Sequence, residues 1–132
     1  MKLEKDQAQK IVDKLNFKDG LVSAMTRDYE DKEVLMTAFM NKEAVLKTLT
    51  TGLAHYWSRS RNNLWLKGEK SGHKQEIQEI RVDCDEDALL LDVKQEGGAC
   101  HKGYRSCFYR KIEDGKLTKI LEREFEPEDI YD

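Results

Sequence analysis

The chain has 132 residues, 39% of them hydrophobic and 37% charged, with a single proline, which predicts one compact domain over residues 1–132 and argues against a two-domain enzyme. Its three cysteines are an odd number that cannot fully pair within one chain, so a disulfide framework is not expected and a reducing, cytoplasmic setting is. A formal net charge of −3 supplies no basic field for nucleic acid, and the longest apolar run, residues 88–91, falls far short of the roughly 20 residues that cross a membrane.

Leu3, Ile11, Val12 and Leu15 recur at spacings that predict an opening helix ending before Asp19-Gly20. Two apolar runs, residues 21–25 and 34–40, flank a polar stretch and predict a hairpin. Asn41 is a good N-cap, Val45, Leu46 and Leu49 share a face, and Gly52 is a stop, which predicts a short second helix. Beyond it, turn signals at 61–63, 70–72 and 96–98 separate short segments rich in aromatic and β-branched residues. The tail from Glu113 is strongly charged, with a turn expected at Asp114-Gly115 and little chemistry expected anywhere along it. The sum is a mainly β or α+β domain with one or two short helices.

Residues 79–87 alternate Ile80, Val82 and Cys84 with charged neighbours, as a half-buried strand does. Period two would put Asp83, Asp85 and Asp87 on one face, about 7 Å between successive members, with Cys84 on the other. Carboxylates brought together repel unless neutralised, and Mg²⁺ is the simplest hard, oxygen-seeking neutraliser. An acidic loop in water is the plain alternative. Cys84 is joined downstream by Cys100 and Cys107, and three thiolates match the ligand count of a catalytic zinc site that keeps a fourth position for water. Against this, a lone cysteine is often a small buried hydrophobe, and the spacing is not the Cys-x-x-Cys of structural zinc modules. His101 adjoins Cys100 too closely for both to ligate one tetrahedral ion without strain, so it is read as an acid/base group near the bound water.

Residues 55–73 join two tryptophans, alternating Ser and Arg, and a glycine-containing turn. Arg59 and Arg61 would share a strand face and clamp phosphate oxygens, Trp57 or Trp65 would stack a base, and Lys67, Ser71 and His73 complete a substrate-binding set. A surface strand with packed tryptophans and solvated arginines is the competing description.

Met36-Thr37-Ala38-Phe39-Met40-Asn41, Tyr56-Trp57-Ser58-Arg59-Ser60-Arg61, Leu64-Trp65-Leu66-Lys67-Gly68-Glu69, Asp83-Cys84-Asp85-Glu86-Asp87, and Cys100-His101 through Cys107-Phe108-Tyr109 occur in that order. Together, over a core of about residues 34–110, they resemble phosphoribosyl-AMP cyclohydrolase, the hydrolase of the third step of histidine biosynthesis. The resemblance implies a barrel-like homodimer that opens the adenine ring of a small nucleotide at N1–C6, by attack of zinc-bound hydroxide on C6. It further implies zinc on Cys84, Cys100 and Cys107, shared across the dimer, and magnesium on Asp83, Asp85 and Asp87. A zinc nucleobase deaminase would use related chemistry, but its His-x-Glu and Pro-Cys-x-x-Cys elements are missing. A zinc-stabilised interaction module, in which metal removal unfolds the chain, is the non-enzymatic alternative.

Overall fold

The computed structural model describes residues 1–129. Helix α1 (Lys5–Lys14) opens on Glu4, which forms a capping box with Gln7, and buries Ala8 and Val12. The expected hairpin is β1 (Val22–Asp28) against β2 (Val34–Met40), antiparallel with Val22 opposite Met40. Along β1, Val22, Ala24 and Thr26 point into the core while Ser23 and Met25 face out, the period of two expected for a sheet covered on one side. Helix α2 (Lys42–Thr51) begins where Asn41 Oδ1 accepts the Ala44 N–H at 2.8 Å. It ends at Gly52, whose φ of 76° is left-handed and whose N–H donates to Thr48 O.

Four further strands follow, β3 (His55–Ser58), β4 (Asn63–Leu66), β5 (Gln75–Val82) and β6 (Ala88–Gln95), and with β1 and β2 they make one sheet in the order β4-β3-β2-β1-β6-β5. Only β1 and β6 run parallel. The sheet curls into a half-barrel, and its far edge comes back to its beginning: the Ala54 N–H donates to Gln75 O at 3.0 Å and the Ile77 N–H to Gly52 O at 2.8 Å. Those bonds satisfy backbone groups that an open edge would leave exposed. Leu35, Met40, Val45, Tyr56, Ile77, Leu91 and Val93 fill the concave side.

The core also holds polar groups. Tyr56 hydroxyl donates to Gln75 Oε1 at 2.6 Å and lies 2.7 Å from Thr26 Oγ1, and Gln75 Nε2 donates to Gln95 Oε1 at 2.8 Å. Every buried side-chain nitrogen and oxygen among the described residues has a partner. A last hairpin, β7 (Arg110–Glu113) and β8 (Lys116–Lys119), turns at Asp114-Gly115, both at positive φ as a type I′ turn requires. Its cross-strand pair Ile112 and Leu117 is exposed. No helix among the described residues is long and apolar enough to cross a membrane.

Candidate active site

The acidic cluster is real, but a turn builds it rather than a strand. β5 stops at Val82, and residues 83–87 fold into a loop with Glu86 at φ 61°. The cause is local: Asp83 Oδ1 accepts the backbone N–H of Asp87 at 3.1 Å and of Ala88 at 3.3 Å, and such side-chain bonds compete with a strand ladder. Asp83, Asp85 and Asp87 thereby bring one carboxylate oxygen each within 4.8 Å of one another, far tighter than strand alternation allows. An all-oxygen set of this kind suits a hard divalent cation. Lys18 stands beside it, Nζ 3.0 Å from Asp87 Oδ2, and that ammonium holds the Asp87 carboxyl below its ordinary range.

Cys100 and Cys107 come together at the other end of the sheet. Cys107 is fixed by its N–H to Leu35 O at 2.7 Å, and Ser106 Oγ donates to Val34 O, so the thiol pair is docked on β2. The Cys100 turn is closed by its N–H to Tyr104 O and by the Gly103 N–H to Cys100 O, and Lys102 N–H points at Cys100 Sγ from 3.4 Å. Burial, and next the neighbouring Cys100, push the Cys107 thiol up to about 11. Cys107 is nonetheless exposed at the surface while Cys100 is buried beside it, and two sulfurs so paired are soft donors of the kind that suit a thiophilic divalent metal. Cys84 sits on the exposed acidic loop, and among the described residues the three carboxylates are the only trio of possible ligands that converges. One chain therefore supplies two sulfurs in one place and the third elsewhere.

Lys67 is the group that sequence reasoning undervalued. Expected among the substrate contacts, it is buried, with Nζ donating to Ala99 O at 2.5 Å, next to the thiol pair. Burial pulls its pKa down, while Cys107 and Cys100, when ionised, pull it up. Tyr56 lies on the same side, its hydroxyl pushed up chiefly by burial.

The remaining residues of the expected substrate set are spread over β3, β4 and the loops that follow them. Arg59 and Arg61 do not share a strand face, because β3 ends at Ser58 and residues 59–62 turn back with Asn62 at φ 53°. The Arg59 guanidinium instead lies 4.0 Å over the Phe39 ring, while Arg61 is exposed and its backbone N–H donates to Ser58 Oγ. Trp57 is half-buried opposite Phe39, and Trp65 packs against Tyr56 at 5.2 Å, which is a core contact. Ser71 Oγ accepts the His73 N–H at 3.1 Å, and His73 Nδ1 lies 3.2 Å from Gly98 O, tying this loop to the segment that leads into Cys100. His101 is exposed on the Cys100 turn.

Known proteins share these sequences. The family model described as phosphoribosyl-AMP cyclohydrolase matches residues 36–109, which contain the thiol pair, the acidic loop, Lys67 and the aromatic and basic run. A protein of Methanosarcina mazei bearing that name is 57% identical over 117 residues, covering 89% of this chain and 95% of its own length. One of Methanosarcina acetivorans is 55% identical, with 91% and 98% covered, and one of Methanothermobacter thermautotrophicus 56% identical, with 89% and 90% covered. With the match spanning the thiol pair, the acidic loop and the aromatic and basic run, the chain is an enzyme of the phosphoribosyl-AMP cyclohydrolase family.

Proposed function

We propose that the chain hydrolyses the N1–C6 bond of the adenine ring of phosphoribosyl-AMP, using zinc held by Cys100 and Cys107 of one copy and Cys84 of a second. The observation that carries this reading is the separation of the sulfurs: two converge on β2 beside a buried lysine while the third stands on the distant acidic loop. A homodimer reconciles that separation with a three-sulfur site, and the exposed Ile112 and Leu117 pair is apolar surface of the kind a second copy covers. When bound, zinc would supply Lewis acidity that lowers the pKa of water to about 7, so that hydroxide would be available for C6 at neutral pH.

The protein's own residues do the rest. Asp83, Asp85 and Asp87 would hold magnesium, which neutralises substrate phosphate, and Arg59 and Arg61 would orient it through bidentate hydrogen bonds. His101, exposed on the turn that carries Cys100, would pass protons to and from the opened ring. Purified protein incubated with phosphoribosyl-AMP should convert it to a product heavier by one water with altered ultraviolet absorbance. Substrate recovered intact from folded, zinc-loaded, magnesium-supplied protein would overturn the reading.

Lys67 bears on zinc affinity. Its Nζ anchors the carbonyl of Ala99, the residue before Cys100, and stands beside the two sulfurs. Removing a group that orients or polarises a metal ligand costs about ten- to a hundredfold in affinity. Lys67→Met should therefore weaken zinc binding by that factor in competition with a chromophoric chelator. Wild-type affinity would return Lys67 to the role of a substrate contact.

A further inference from the structure

We propose that residues 121–126 form a strap packed over the His73 loop and residues 98–104, with Phe125 the positioning residue for His73. The inference rests on the reading of His73 as a substrate contact. The strap lies beyond residue 109, where the family match ends, and its composition had suggested a charged tail without a role.

The contacts are specific. The Phe125 ring meets His73 edge to face, centroids 4.8 Å apart and planes at 80°, an arrangement favoured by the aromatic quadrupole. Behind the ring, the backbone N–H groups of Glu124 and Phe125 donate to Gly103 O at 2.7 and 3.3 Å, and the Arg123 guanidinium lies 5.9 Å over the Tyr104 ring. Glycines stand wherever the strap and His73 press on residues 97–103. A Cβ at Gly98 would meet the Phe125 ring at 2.7 Å, one at Gly103 would run into Phe125 O, and one at Gly97 would run into the His73 ring.

His73 is thus held from three directions. Its carbonyl accepts from Gln95 Nε2 at 3.1 Å, its Nδ1 lies 3.2 Å from Gly98 O, and Phe125 fixes the tilt of the ring. A carbonyl can only accept, so Nδ1 carries the proton that points at Gly98 O and the ring plane is set by that bond. The Cys100 turn depends on the strap far less, because the N–H groups of Ala99, Cys100 and Gly103 are bonded to Arg105 O, Tyr104 O and Cys100 O. Loss of the Phe125 ring should release His73 and leave the thiols in place.

The test compares Phe125→Ala, Phe125→Leu and Phe125→Tyr. The first two should raise KM for phosphoribosyl-AMP roughly two- to tenfold, the size of one aromatic pair, with kcat little changed and full zinc content. Phe125→Tyr should restore KM. The Cε1–H resonance of His73 should move in the Ala and Leu variants as the ring current is lost. An unchanged KM with Ala, a wild-type KM with Leu, or a loss of zinc and kcat in place of a rise in KM would each overturn the strap's role. If the wild-type protein turns over no substrate, the proposed function fails by itself, and the His73 resonance still decides whether Phe125 holds the ring.

Discussion

Cys84→Ser, Cys100→Ser and Cys107→Ser should each lower turnover by about a thousandfold or more, because a site left with two sulfurs would lose the zinc proposed to make hydroxide available at neutral pH. The three variants are not equivalent when mixed. Coexpressed Cys84→Ser and Cys107→Ser chains, each inactive alone, would form dimers in which one site combines both lesions and the other combines neither. Random assortment makes half the dimers mixed, each with one of two sites intact, so about a quarter of wild-type activity should return. Cys100→Ser mixed with Cys107→Ser should recover nothing, since both lesions fall on the same half of the site. Activity measured on the purified mixtures, with zinc content alongside, checks the pattern, and equal recovery in the two pairs would contradict it.

Asp92→Asn should cost about 3 kcal/mol of folding stability, visible as a drop of about 2 M in the urea midpoint. Asp92 is fully buried on β6, opposite Arg27 of β1, and its carboxylate is bonded by Arg27 Nε and Nη2, with Lys32 Nζ 3.6 Å away. The amide keeps the shape and deletes the charge, leaving the guanidinium uncompensated. The value sits at the lower end for a broken buried pair because Arg27 remains partly solvated, with 21% of its side chain exposed. Replacing Arg27 as well, with Met, should recover much of the loss. Arg27 also holds the Asp92 carboxyl below its ordinary value of 3.8, so the pair's contribution is complete above that value and disappears as pH falls through the lower, folded-state value. Acid unfolding should consequently begin at higher pH in weakened variants than in the wild type.

How much of this was legible in the sequence depends on how local its cause was. The hairpin of β1 and β2 and the Asn41-to-Gly52 helix follow from alternation, a cap and a left-handed stop within a few residues, and they stand as expected. The acidic triad was legible as a set of residues but not as a geometry. Period two was applied past Val82, where the Asp83 side chain captures backbone N–H groups and ends the strand. The same error put Arg59 and Arg61 on one face. The contacts of Lys67 and Phe125 are not legible for a different reason, since their partners Ala99, His73 and Gly103 come from distant parts of the chain. Only the glycines at 97, 98 and 103 hinted that something packs tightly there.

The most direct measurement is turnover of phosphoribosyl-AMP before zinc chelation, after it, and after zinc is restored, with circular dichroism followed throughout. Ring opening should stop on chelation and return with zinc while the half-barrel stays folded on the core of Leu35, Tyr56, Ile77 and Leu91. Ring opening that persists in fully zinc-free protein, or a fold that collapses with the metal while the reloaded protein opens no ring, would contradict the proposed role of zinc.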